Sequence, residues 1–252
     1  MGVLLVTGSS RGIGAEVARL GSRQGWAVCV NSSKSGEAAE RVASEIRAEG
    51  GKAIVATADV TSPLEVEEMF ERAKADLGPV TGLVNNAATE GSQGRVEDLD
   101  ASATRRLFEV NILGPFLCTQ AAVKQMSTRF GGPGGAIVNV SSAAAKHGGS
   151  GHYVDYAASK AALDTMTYGH AVEQADAGIR VNCVRPGTVW TEMNRLYMER
   201  DPEYADRIIA KTPLARAAEE AEIAKGILWL LSDEASYTTG AILDISGGMV
   251  AP

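Results

Sequence analysis

The sequence predicts an α/β protein whose seven parallel strands form one doubly wound sheet with helices on both faces. Two observations carry that prediction. Short β-branched runs alternate with longer segments whose apolar residues recur every three or four positions, and no tight hairpin joins two strand runs. A third sets the number of domains. No Pro/Ser-rich linker or change of composition interrupts the 252 residues, so 1–252 reads as one domain.

The elements follow in order. VLLVT, residues 3–7, reads as a buried strand, and GAEVARLGSRQG from Gly14 has helical spacing. AVCVN at 27–31 is the second strand. The segment after it repeats Ala39, Val42, Ala43 and Ile46 at helical intervals. AIVATADV at 53–60 is the third strand. Thr61, Ser62 and Pro63 then open a helix with the glutamates of EVEEMFERA behind them. A capping hydroxyl, an early proline and first-turn carboxylates are all N-terminus signals. GLVNNA at 82–87 is a strand, 103–126 a long helix, and AIVNVSS at 136–142 a strand. A helix from Tyr156 to Glu173, the strand IRVNCVRPG at 179–187, a looser region to about Leu214 and the helix EEAEIAKGILWLLS follow. AILDISGG at 241–248 is the last strand.

Composition narrows the function. The chain is 45% hydrophobic and 22% charged, the profile of a soluble globular protein with a sizeable core. Its 24 Lys and Arg against 31 Asp and Glu give a net charge of −7. Without a basic run, that balance argues against nucleic acid or an anionic membrane surface as partner. No apolar stretch approaches the roughly 20 residues of a membrane span, and a strand begins almost at once, so we expect no signal peptide and a cytoplasmic protein. Cys29, Cys118 and Cys183 lie far apart in apolar segments and lack metal-ligand spacing. They read as small buried hydrophobes in a reducing compartment.

Between the first strand and the first helix stands TGSSRGIG, residues 7–14. Three glycines in such a turn let backbone approach a pyrophosphate, and the helix behind offers unpaired N–H groups and a positive dipole end. The glycines at 8, 12 and 14 follow a T-G-x-x-x-G-x-G spacing.

Here the sequence resembles the short-chain dehydrogenase/reductase family, over essentially the whole chain. TGSSRGIG, with Gly8, Ser10, Arg11, Gly12, Ile13 and Gly14, looks like the family's cofactor loop. Asp59 and Val60 look like its adenine contact, and NNAA at 85–88, with Asn86, Ala87 and Ala88, like its N-N-A-G strand end. Asn111, Ser142, Tyr156 and Lys160 look like its catalytic tetrad. PGTVWT at 186–191, with Pro186, Gly187, Val189 and Thr191, looks like its nicotinamide-side loop. The resemblance implies a single-domain Rossmann fold and an oxidoreductase that moves a hydride between a nicotinamide cofactor and a carbonyl/alcohol pair. It also implies a homotetramer.

The form of the cofactor can be argued from charge. NAD-binding sites generally place an acidic residue after the second strand, where it accepts the ribose hydroxyls. This chain has Asn31, Ser32, Ser33 and Lys34 there, and no carboxylate before Glu37. Arg11 lies in the glycine-rich turn and suits a 2′-phosphate. By resemblance, Arg at this loop position marks NADP-preferring members. NADP(H) is therefore expected over NAD(H).

The stretch YVDYAASK, 153–160, holds two phenols and one lysine. A free phenol titrates near pH 10, so acid–base work at neutral pH calls for a shift of ~3 units, roughly 4 kcal/mol. Lys160, one helical turn after Tyr156, is expected to lower that pKa, and an oxidised nicotinamide would add to the effect. By resemblance Lys160 also binds the nicotinamide ribose, alongside Tyr156, and Asn111 sits at a helix distortion holding a relay water. Ser142 is expected to orient the substrate oxygen. Tyr153 is expected to pack near the helix start, and Asp155 to face away from Tyr156.

Two departures from the family pattern stand out. Ser142 lies fourteen positions before Tyr156 where thirteen is common, and Ala88 replaces the usual glycine. A glycine-rich loop absorbs the extra residue. Ser141 is expected to face the other way on the pleat. His147 and His152 read as loop residues bordering the pocket, not as metal ligands or bases.

The segment at about 188–214 breaks the β/α rhythm, and by resemblance covers the substrate. Trp190, Met193, Leu196 and Tyr197 are expected to give it an apolar underside. Ala157, Ala158, Ala161, Ala162 and Leu163 are expected to pack across a twofold axis of the tetramer. The chain resembles members called glucose 1-dehydrogenase-like or 3-oxoacyl-carrier-protein-reductase-like. A non-catalytic NADP(H)-binding redox sensor and an isomerase or dehydratase on the same fold are the alternatives.

Overall fold

The computed structural model describes residues 2–34, 36–191 and 202–250. Met193, Leu196 and Tyr197 lie outside the described residues. Seven strands form one parallel sheet: β1 (Val3–Val6), β2 (Ala27–Ser32), β3 (Ala53–Thr57), β4 (Val80–Asn85), β5 (Gly135–Val140), β6 (Ile179–Pro186) and β7 (Ile242–Ile245). Their spatial order is β3-β2-β1-β4-β5-β6-β7. The order reverses between β1 and β4. In an open parallel sheet that switch point opens a crevice at the carboxyl ends of the strands.

Both faces are covered, as the continuous apolar strands require. Along β1, Val3 and Leu5 point into one core and Leu4 and Val6 into the other, the two-residue alternation of a strand. The first core is closed by α3 (Pro63–Leu77) and α5 (Gly114–Met126), through Met69, Phe70, Cys118 and Met126. The second is closed by α1 (Gly12–Arg23) and by the helix Glu220–Leu231, through Val17, Ile223 and Ile227. A third cluster seats α2 (Gly36–Ala48) on β2 through Val42 and Ile46. All three cysteines are buried, and burial pushes each thiol up to about 12, so they remain protonated core residues.

Several boundaries differ from the sequence reading, each for a local reason. The third strand ends at Thr57 because Asp59 Oδ1 accepts the Thr61 N–H at 3.0 Å and turns the chain. The fourth ends at Asn85 because the next two backbone N–H groups, of Asn86 and Ala87, both donate to Thr7 Oγ1 at 3.0 Å. Asn85 itself is used in the core, donating to Asn139 Oδ1 at 2.9 Å across the β4–β5 register.

The long helix is three pieces: α4 (Ala101–Phe108), a π turn over Glu109–Leu113, and α5. Pro115 has no N–H to give the Asn111 carbonyl, and the Gly114 N–H instead reaches Glu109 O, five residues back. A short helix, α6 (Ala144–His147), stands in the loop after β5, and α7 runs over Val154–Gln174. Within the region read as loose lies α8 (Pro202–Ala210), and Glu220–Leu231 is α9.

Candidate active site

The crevice at the switch point is built first from the turn after β1. Gly8 has φ +61°, and a methyl there would come within 2.8 Å of the Ala87 backbone. A methyl on Gly14 would meet Asn86 Nδ2 at 2.5 Å and Gly8 O at 2.8 Å. The turn and the end of β4 therefore touch only because both residues lack a side chain. Asn86 Nδ2 donates to Thr7 O and Gly8 O, each at 3.0 Å, and locks them together.

Asn31 holds the other side. Its Oδ1 accepts the Gly8 N–H at 3.1 Å, and its Nδ2 donates to Ala56 O and Ala58 O. That amide is spent on fixing the turn, so it shapes the site from beneath. Ser9 adds to the same seam, donating to Val6 O at 2.7 Å and accepting the Asn31 N–H at 3.0 Å.

The cradle suits a pyrophosphate on three counts. Helix α1 starts at Gly12 with no side chain capping its N-terminus and no carboxylate in its first turn. Arg11 stands at the N-cap and is exposed. A methyl on Gly12 would meet Thr191 Cγ2 at 3.9 Å and Glu220 Oε1 at 4.0 Å, so the turn approaches the loop after β6 without a clash. That loop is held in place by Trp190 N–H to Ala218 O at 2.8 Å and by Gly187 N–H to Ile245 O at 3.0 Å. Ile13 and Val189 sit in the second core, whereas Ser33 and Ala88 are exposed at the crevice edge.

The four proposed catalytic residues converge past the ends of β4 and β5. The Ser142 hydroxyl favours the Tyr156 phenolate, and its Oγ accepts the Ala144 N–H at 3.1 Å. Ser141 faces the opposite way, donating to Lys160 O at 2.9 Å. Lys160 is 2% exposed, its Nζ 5.6 Å from the Tyr156 ring centroid and 2.8 Å from Val140 O, to which it donates. Asn111 is fully buried in the π turn. Its Nδ2 donates to Thr89 O at 2.9 Å and to Ser159 Oγ at 3.1 Å, and its Oδ1 accepts the Thr89 N–H at 2.8 Å. That amide is committed within the chain, and the Asn111 carbonyl cannot accept from Pro115, which has no N–H. Sequence reading missed Thr7, Ser9, Thr89 and Ser159.

Tyr153 packs edge-on against Tyr156, ring centroids 6.0 Å apart at 88°, and His147 (edge-on) and His152 (tilted) flank it at 6.2 Å each. Asp155 points toward α4, accepting from Thr104 Oγ1 at 3.0 Å, and bonds the Tyr156 backbone N–H rather than the phenol.

The electrostatics depart from expectation in one respect. Lys160 was expected to lower the Tyr156 pKa, yet in the chain alone burial and then the Glu90 charge raise it above the usual phenol range, and the Ser142 bond only partly offsets them. The reason is that the ammonium is itself desolvated and turned toward Val140 O. Burial brings its pKa down to about 8 from 10.5, against the opposing pull of Cys183 and Asp164. Tyr156 is therefore stocked as a neutral acid.

The lysine also costs stability. Between pH 8 and 10.5 the unfolded chain binds more protons here than the folded one, so the folded state gains as pH rises through that window and bears the full penalty below it. That penalty is about 3 kcal/mol, less about 1 kcal/mol returned by the Val140 bond. Lys160→Met should therefore melt roughly 4–8 °C above the parent at pH 7, an advantage that shrinks toward pH 10. A lower melting point in calorimetry would contradict it.

The comparisons with known proteins agree with this architecture. A family model described as "Enoyl-(Acyl carrier protein) reductase" matches residues 8–250. The uncharacterized oxidoreductase YgfF of Escherichia coli is 46% identical over 248 residues, covering 98% of this chain and 100% of that protein. Glucose 1-dehydrogenase 2 of Bacillus subtilis is 32% identical over 97% of this chain and 93% of its own. Among solved structures, a blue fluorescent protein from a metagenomic library, in complex with NADPH, superposes with a TM-score of 0.89. It is 34% identical and covers 99% of this chain and 98% of its own. No helix among the described residues is long and apolar enough to cross a membrane. With the glycine turn, the switch-point crevice and these matches in agreement, the chain belongs to the short-chain dehydrogenase/reductase family, nicotinamide-dependent oxidoreductases acting on carbonyls and alcohols.

Proposed function

We propose that the protein is an NADP(H)-dependent oxidoreductase that interconverts a carbonyl and an alcohol, with Tyr156 as its general acid/base. The observation that carries this reading is the convergence of Ser142, Tyr156 and Lys160 beside the crevice where the glycine-rich turn lies. Bound cofactor supplies or accepts the hydride. The chain supplies the rest. Ser142 orients the substrate oxygen toward the phenol, Tyr156 gives it a proton in reduction, and Lys160 binds the nicotinamide ribose and passes a proton inward. The Asn111 backbone carbonyl holds the water at the inner end of that relay. Gly8 to Gly14 cradle the pyrophosphate, and Asp59 with Val60 meets the adenine. Arg11, Ser32 and Ser33 take the 2′-phosphate, while Asn86 to Ala88 and Pro186 to Thr191 line the rest of the cleft. The segment at about 188–214 covers the substrate.

NADPH oxidation against a panel of aldehydes, short ketones, quinones and 3-oxoacyl thioesters, with NADP reduction against sugars, tests the reading. Turnover of at least one class is expected, and none across the panel rejects it.

In the same proposal the protein is a cytoplasmic homotetramer. Of the five α7 residues expected at the twofold axis, Ala157 and Leu163 are buried within one chain, whereas Ala158 is exposed and Ala161 and Ala162 are half-buried. Phe108, Leu113 and Phe116 on the broken helix and Tyr168 and Val172 on α7 are exposed, and supply the apolar contact. Light scattering should give four chains per particle, and a stable monomer at micromolar concentration would reject that assembly.

A further inference from the structure

Asp59 is held by more of the chain than a loop carboxylate needs. Its Oδ1 accepts from the Thr61 N–H at 3.0 Å and the Thr61 hydroxyl at 2.8 Å. Its Oδ2 accepts from Arg106 Nη2 at 2.7 Å, while Nη1 of the same guanidinium donates to Thr61 Oγ1 at 2.9 Å. The Asp59 backbone N–H donates to Glu65 Oε2 at 2.8 Å. Arg106 comes from α4, 47 residues away, in the helix that runs into the π turn carrying Asn111. That broken helix closes on the same turn a second time, since a methyl on Gly114 would lie 2.7 Å from Val60 Cγ2.

The arrangement is directional rather than stabilising. The ion pair is partly exposed, 47% for Arg106 and 31% for Asp59, and such pairs add little to stability. A guanidinium gripping both side chains of the turn, however, fixes the carboxylate in one orientation. Although burial works against ionisation, the Thr61 and Arg106 bonds hold the Asp59 carboxyl below its ordinary pKa. It is therefore an acceptor only. Oδ1 has two donors, whereas Oδ2 has one and keeps capacity for another. An acceptor so placed bonds the exocyclic amino group of a 6-aminopurine and repels the carbonyl oxygen of a 6-oxopurine.

We propose that Arg106 is a positioning residue of the cofactor site, aiming the remaining acceptor of Asp59 so that it selects adenine over a 6-oxopurine. The inference rests on the reading above that Asp59 faces the adenine.

Equilibrium binding of NADPH and of its hypoxanthine counterpart to the full-length parent, Arg106→Gln and Arg106→Lys tests it. The parent should prefer NADPH by about fivefold or more, and Arg106→Gln should bring that ratio toward one by weakening NADPH alone. Arg106→Lys should recover part of the ratio. In steady state the Gln variant should raise KM for NADPH and leave kcat at saturation unchanged, with its melting temperature within about 3 °C of the parent. Equal weakening of both dinucleotides, or an unchanged ratio, overturns the proposal. A parent that binds both purines equally rejects the adenine role of Asp59 and the proposal with it. A parent that binds neither dinucleotide overturns both by rejecting the cofactor reading itself.

Discussion

Tyr156→Phe is expected to lose about a thousandfold in kcat, within the range general acid–base catalysis contributes, while NADPH affinity stays within about threefold. Tyr153→Phe is expected to keep activity within about threefold, because its ring and its edge-on contact survive the change. The two phenols sit 6.0 Å apart, so proximity alone does not separate them. Their partners do. Tyr156 is influenced by Ser142 and has Lys160 Nζ over its ring, whereas Tyr153 is flanked by His147 and His152. Steady-state rates of both variants with one substrate decide the matter, and equal losses would mean the tyrosines are assigned wrongly.

The second large effect concerns the cofactor. Arg11→Ala with Ser32→Asp is expected to shift the NADP/NAD preference by roughly a hundredfold or more toward NAD. The estimate takes about 1.5–3 kcal/mol for each charge-assisted bond lost or gained. Arg11 stands at the N-cap of α1 and Ser32 ends β2, so both border the same crevice. The first change removes the cation suited to a 2′-phosphate. The second installs an acceptor for the ribose hydroxyls and repels the phosphate. The ratio of kcat/KM for the two cofactors is the readout, and an unchanged ratio would reject NADP(H) as the physiological partner.

The architecture was legible because the sheet is buried on both faces, so each strand announced itself as an apolar run such as VLLVT. The glycine turn was legible for a steric reason, since only Gly8 and Gly14 permit the approach of Ala87 and Asn86. The break in the long helix was half-written in Gly114 and Pro115, although the switch to a π turn needed the backbone. Thr7, Ser9, Thr89 and Ser159 were illegible. They are ordinary hydroxyls or loop residues whose partners lie as far as 80 positions away, and nothing in their local pattern distinguishes them. The raised Tyr156 pKa of the chain without cofactor was illegible for a related reason. Helical spacing places a lysine near a phenol but does not report desolvation, which with the Glu90 charge raises the phenol pKa in the chain alone.

That neutral phenol also frames the decisive measurement. NADPH is mixed in excess with the enzyme and the best carbonyl of the panel, and alcohol formed is counted against NADPH consumed, for the parent and for Tyr156→Phe. One alcohol per NADPH with the parent, and about a thousandfold slower alcohol formation with a variant that still binds NADPH, is the predicted result. Tight NADPH binding by the parent with no alcohol from any carbonyl would contradict the account and leave a cofactor-binding sensor in its place.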